Sequence, residues 1–136
     1  MTRILWTRIK IVLALFLAGA AASALADITV GVTLSTTGPA ASLGIPEKNT
    51  LALLPASIGG QKVNYVVLDD ATDPTAASKN ARKLVTEDKV DVIIGSTTTP
   101  TSTAVLEVAA ETKTPQIALA PFAPAADKAA WVFQMP

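Results

Sequence analysis

The 136-residue sequence contains no cysteine and no histidine, and only 4% of it is aromatic. Without Cys there is no disulfide framework, no thiol nucleophile and no lipid-bearing cysteine after an export signal. Without either residue type, the usual nucleophile–base pairs and the common zinc ligand sets are excluded. The chain also lacks an excess of charge, with 11 Lys and Arg against 11 Asp and Glu. No basic patch is present to meet a phosphate backbone, so nucleic acid is not an expected partner. No cofactor motif is evident: "TTGPAASLG" has too few glycines at phosphate-loop spacing to hold a nucleotide. Nothing in the residue inventory points to an enzyme.

What is present starts with a leader. Arg3, Arg8 and Lys10 precede the apolar run "IVLALFLAGAAA", and Ala24-Leu25-Ala26 makes an A-x-A site just before Asp27. This order predicts a secretory signal peptide over residues 1–26, cleaved after Ala26. The apolar run is shorter than the roughly 20 residues a membrane-spanning helix requires. Its removal takes away three basic residues and no acidic ones, leaving 8 against 11, or −3. The expected location is the periplasm of a Gram-negative cell.

From Asp27 onward, apolar strand patterns alternate with helical ones. "ITVGVTL" (28–34) places Ile28, Val30, Val32 and Leu34 on one face and the small residues Thr29, Gly31 and Thr33 on the other. "VNYVVLD" (63–69), "DVIIG" (91–95), "QIALA" (116–120) and "WVFQM" (131–135) read as further strands, short and nearly continuously apolar. Trp131 and Phe133 are expected in the core. Asp73-Pro74 is a helix start, with Ala77, Ala81, Leu84 and Val85 on the apolar stripe. Thr99-Pro100 repeats that signal ahead of Val105, Val108, Ala109 and Thr112. A shorter helix is expected over 47–54, with Leu51, Leu54 and Ile58 on one side. The order β-α-β-α-β-α-β, with a helical turn near 125–129 and a last strand, predicts an α/β doubly wound parallel sheet.

In such sheets ligands bind beyond the carboxyl ends of the strands. The loops there are "STTGPAASLG" (35–44), "DDATDP" (69–74), "STTTP" (96–100) and "APFAPAAD" (120–127); they carry the hydroxyls, whereas "IGGQK" and "TKTP" at the opposite edge are plain turns. A helix N-terminus beside Thr97, Thr98 and Thr99 suits a carboxylate or phosphate, with capping and solvation as the alternative role for these hydroxyls. Asp69, Asp70 and Asp73 are expected to serve as a helix cap and as acceptors for loop N–H groups or water, rather than as a metal or phospho-acceptor site.

The stretches "ITVGVTLSTTGPAASLGIPEKN", "VVLDDATDPTAASKNARKLVTEDKVDVIIGSTTTPTSTAV", "TPQIALAPFAP" and "WVFQMP" resemble, in order and at family spacing, the type I (Leu/Ile/Val-binding) periplasmic substrate-binding proteins of ABC importers. The resemblance implies a two-lobed protein that closes over a small carboxylate-bearing ligand and delivers it to an ABC permease in the inner membrane. It implies that Thr99, with Thr97 and Thr98 beside it, receives the ligand carboxylate, and that the loop with Ala120 and Phe122 contacts the ligand head group. Phe122 stands where amino-acid binders usually have Ser or Thr, and Leu43 where an aromatic residue can occur. Branched-chain amino acids and other hydrophobic or aromatic carboxylates therefore both stay open as ligands. Family members run to well over twice this length, so residues 27–136 are expected to form part of an N-terminal lobe. A ligand-sensing domain of the same fold and a non-functional fragment remain the alternative readings.

Overall fold

The computed structural model describes residues 26–135; the expected signal peptide, apart from Ala26, lies outside them. The elements are β1 (Ile28–Leu34), α1 (Ala41–Leu51), β2 (Ser57–Ile58), β3 (Gln61–Asp69), α2 (Pro74–Thr86), β4 (Val92–Ile94), α3 (Thr99–Thr112), β5 (Gln116–Ala118), a 3-10 turn (Ala129–Trp131) and β6 (Val132–Gln134). They form one six-stranded sheet in the order β2-β3-β1-β4-β5-β6. Every pairing is parallel except the β2–β3 hairpin. The chain runs outward from β1 to β3, then crosses back to β4 on the other side of β1. The two loops that leave β1 and β4 therefore diverge to opposite faces. This is the topological switch point, where open α/β sheets have their crevice.

The small face of β1 does what its composition predicts. A Cβ placed on Gly31 would stand 3.1 Å from both Leu84 methyls, so glycine lets α2 sit directly on the strand. The helix opens where Asp73 accepts the Ala76 N–H at 2.7 Å, with Pro74 in the first turn, where a missing N–H costs nothing. Its stripe of Ala77, Ala81 and Leu84 packs beside α3, closing a core with Ile93, Val105 and Val108. Leu84 and Ile93 are fully buried, and such burial contributes about 1.5–3 kcal/mol for each side chain.

The opposite face is covered less completely. Val30, Val32, Leu34 and Val63 form its core, against which Leu51 of α1 packs. A cavity of about 310 Å³ remains between α1 and the sheet. Its wall includes Val32, Leu34, Leu51, Ile94, Leu119 and Met135, with Glu47 as the single charged residue among the described residues.

Four local expectations are corrected. The first helix spans Ala41–Leu51 instead of 47–54, because the turn at Gly38 feeds straight into it: Ala41 N–H donates to the Gly38 carbonyl and Gly44 N–H to that of Ala40. Gly44, expected in the 35–44 loop, and Pro46 lie within it. Gly44 is needed for close approach, since a Cβ there would sit 2.2 Å from the Ser35 carbonyl oxygen. Ile58 lies in β2, whose Gly59-Gly60 turn has φ of +58° and +83°. The cap of α3 is Thr98 rather than Thr99, which puts Pro100 at the second helical position. Phe133 is 61% exposed, because β6 is the edge of the sheet formed by the described residues and only its neighbour Val132 faces α3. Among the described residues no helix is long and apolar enough to cross a membrane.

Candidate functional site

The carboxyl ends of β1, β3 and β4 meet around Asp70, the residue that follows β3. Its side chain is fully buried. It accepts the hydroxyls of Ser35 at 2.7 Å, Ser96 at 2.6 Å and Thr33 at 3.1 Å, and the Thr72 N–H at 3.1 Å. A buried carboxylate without partners would be very costly, and these four donors stand in for water. Asp70 thereby joins the loops on both sides of the switch point. Ser96 passes the connection on, since its hydroxyl oxygen accepts the Thr97 N–H at 2.6 Å.

The three predicted threonines diverge from there. Thr97 is buried, 6% exposed, and its hydroxyl accepts the Ser35 N–H at 2.9 Å while donating to Glu47 Oε2 at 2.6 Å. Thr98 caps α3 through a capping box with Thr101, whose side chain accepts the Thr98 N–H at 3.2 Å. Thr99 is exposed, and its hydroxyl donates to the Pro121 carbonyl at 2.8 Å, tying α3 to the loop after β5. In that loop Ala120 is buried. Phe122 is half-buried against Leu106, Ala109, Ala118 and Val132, and its backbone exchanges hydrogen bonds with the Gln134 side chain. The structure thus joins Thr97 to the β1 loop and Thr99 to the β5 loop, on either side of the α3 cap.

These bonds differ in how readily a ligand could replace them. The Thr97 proton goes to a carboxylate, and such charge-assisted bonds are about twice as strong as neutral ones. The Thr99 proton goes to a neutral carbonyl at an exposed position. The Thr99 hydroxyl is therefore the more readily exchanged of the two. The donors gathered here suit binding of a polar head group. They include no nucleophile–base pair.

Two other carboxylates respond to this setting. Burial raises the Glu47 pKa above the usual range; the Thr97 hydroxyl opposes that shift and nearby Asp70 adds to it. Asp69 feels some upward push from desolvation. It is outweighed by hydrogen bonds from the Thr37 hydroxyl and the backbone N–H groups of Ala71, Thr37 and Thr36, which hold its pKa down at about 2. Asp73 caps α2, so the three aspartates have three separate tasks. Among the described residues no group of three acidic side chains is placed to hold a metal ion.

Sequence reasoning foresaw Asp73 as a cap, and for Asp69 it gave loop N–H groups or water, of which the structure shows the first. For Asp70 it gave loop N–H groups or water, and the structure buries the side chain among hydroxyls. It did not single out Ser35, Ser96 or Glu47. The available signal was a surplus of hydroxyls: Thr33, Ser35, Ser96 and Thr97 at two strand ends are more than helix capping requires.

The periplasmic binding protein family profile matches residues 27–135. An extracellular ligand-binding receptor from Rhodopseudomonas palustris is 51% identical, with a TM-score of 0.80 over 82% of this chain and 31% of its own. A solute-binding protein of an ABC transporter from R. palustris BisB5, solved with 3,4-dihydroxybenzoic acid, is 27% identical at a TM-score of 0.74, covering 79% of this chain and 31% of its own. A leucine-binding protein from Thermotoga maritima shares the fold at 24% identity and a TM-score of 0.71, over 79% of this chain and 32% of its own. No curated protein matches the chain. The chain spans about a third of the length of these solved relatives, which are binding proteins rather than enzymes. The parallel sheet, its switch-point crevice and the match over nearly every described residue lead to one conclusion: this chain belongs to the periplasmic binding protein family.

Proposed function

We propose that the chain is part of the N-terminal lobe (27–136) of the solute-binding component of an ABC importer. It is exported to the periplasm by a signal peptide over residues 1–26, and it captures a small carboxylate for delivery to an inner-membrane permease. The ligand is a branched-chain amino acid or a related hydrophobic or aromatic carboxylate. Its carboxylate sits at the start of α3, displacing the Thr99 hydroxyl from the Pro121 carbonyl, with Thr98 holding the helix end in place. Ala120 and Phe122 supply the neighbouring wall, and Thr97 borders the site from the β1 side. The observation that carries this reading is the Thr99–Pro121 hydrogen bond, which brings a helix N-terminus and an exchangeable hydroxyl to the loop after β5. Support for an aromatic carboxylate comes from the R. palustris relative solved with 3,4-dihydroxybenzoic acid.

Titration of leucine and of 3,4-dihydroxybenzoate, followed by amide-resolved NMR, tests the reading. In a two-lobed form that carries this chain one of them should bind, and Thr99→Val should weaken that ligand by about 1.5–3 kcal/mol, the value of a hydrogen bond to a charged group, whereas residues 27–136 alone should bind it weakly or not at all. Equal affinity for the variant would remove Thr99 from the site.

A further inference from the structure

The Thr97 hydroxyl has a single proton, and that proton is donated to Glu47 Oε2 at 2.6 Å. The hydroxyl oxygen meanwhile accepts the Ser35 N–H at 2.9 Å, so it is held from both sides. Nothing is left there to donate to an incoming carboxylate. The bond occupies only Oε2 of Glu47 and leaves Oε1 able to accept a further donor. Glu47 is half-buried, and it brings the only charge to the wall of the 310 Å³ apolar cavity among the described residues.

We propose that Glu47 is a specificity-determining residue of this crevice: it turns a ligand carboxylate away from Thr97 and receives the ligand's hydrogen-bond donor. The site then selects carboxylates that carry a second, donating group, such as an ammonium or a phenolic hydroxyl, over carboxylates that carry none. This rests on the solute-binding reading above and adds an orientation to it.

Like charges repel, and Asp70 stands behind Glu47 as a second carboxylate reached through Ser96 and Thr97. A ligand carboxylate placed at Thr97 would meet the Glu47 carboxylate directly. Placed at Thr99, it faces the start of α3 and a hydroxyl bonded only to a neutral carbonyl. Thr97 and Thr99 are two residues apart, at most about 7 Å along an extended chain. That spacing suits a small ligand with its carboxylate at one end and its donor at the other.

The test compares benzoate, which has a carboxylate and no donor, with 3,4-dihydroxybenzoate, which has the same carboxylate and two phenolic donors. Both are titrated into a two-lobed form that carries this chain and into its Glu47→Gln and Glu47→Ala variants by amide-resolved NMR. The Ser35 amide, which bonds Thr97 directly, checks that each variant keeps its loops. The native chain should prefer 3,4-dihydroxybenzoate by about tenfold or more, the value of one hydrogen bond to a charged group. Glu47→Ala should reduce that preference to within about threefold, with benzoate gaining affinity as the repulsion goes. Glu47→Gln keeps the shape and an acceptor oxygen but no charge, and should fall between the two. An unchanged preference in both variants would overturn the role of Glu47 and leave the solute-binding reading standing. Failure of both probes and of leucine to bind any of these two-lobed forms would overturn that reading, and the role of Glu47 with it.

Discussion

The two ends of the sheet are built from the same strands and differ in chemistry. At the amino ends the chain turns mainly with backbone devices, and the side-chain bonds there, such as Asp91 accepting the Thr29 N–H and Gln61 donating to the Ala26 carbonyl, are exposed and isolated from one another. Gly59 and Gly60 take positive φ between β2 and β3, and Lys113 closes α3 at φ 58°, with the Thr114 N–H reaching back to Ala109. At the carboxyl ends, hydroxyls and carboxylates from loops far apart in sequence are bonded to one another. Ser35 and Thr97, 62 residues apart, share a hydrogen bond, and both connect to Asp70, Thr97 through Ser96. A fold needs only the first kind of end. The second kind fixes loop positions to within a hydrogen bond, as a binding site requires.

The contrast breaks most severely at Asp70. Replacing it with Ala should cost about 3 kcal/mol or more in denaturant unfolding, because three hydroxyls and an N–H lose their buried acceptor. A loss below about 1 kcal/mol would mean that water readily fills the space. Next in size is the acid response of Asp69. Its folded pKa lies at about 2, below the ordinary 3.8, so its contribution is present above pH 4 and lost as the pH falls towards 2. Asp69 is exposed, so screening limits that contribution to at most about 1 kcal/mol. The stability gap between the native chain and Asp69→Asn should shrink between pH 6 and pH 2.5. A constant gap would dissociate Asp69 from the Thr36–Thr37 loop. The smallest effect belongs to the amino end. Lys113→Gly relieves a left-handed residue at a helix end and should raise stability by up to about 1 kcal/mol, with ligand binding unchanged. Weakened binding in that variant would mean that the two ends are coupled.

Most of the fold was legible because it rests on local rules. The alternation in β1, the Asp73-Pro74 cap and the apolar stripe of α2 are periodic or positional signals that neighbouring residues carry. The start of α1 was not legible, because Gly44 and Pro46 resemble loop residues until the Ser35 carbonyl is seen against the helix. The site was legible at the level of loops and less so at the level of atoms. That Thr99 would meet the β5 loop follows from topology, whereas the Glu47–Thr97 contact joins residues 50 apart in sequence and has no local signature. Hydroxyls announce that something will be bonded. They do not announce whether the partner is a ligand or another part of the chain.

The most direct test of capture at the carboxyl ends is a titration of a two-lobed form that carries this chain with leucine or 3,4-dihydroxybenzoate, read at every backbone amide of residues 27–135 by NMR. Binding at the switch point predicts saturable shifts at Ser35, Thr97, Thr98, Thr99, Ala120 and Phe122, with Gly59, Gly60 and Lys113 unmoved. Shifts confined to the amino-end turns, or none at either end with both compounds, would contradict it.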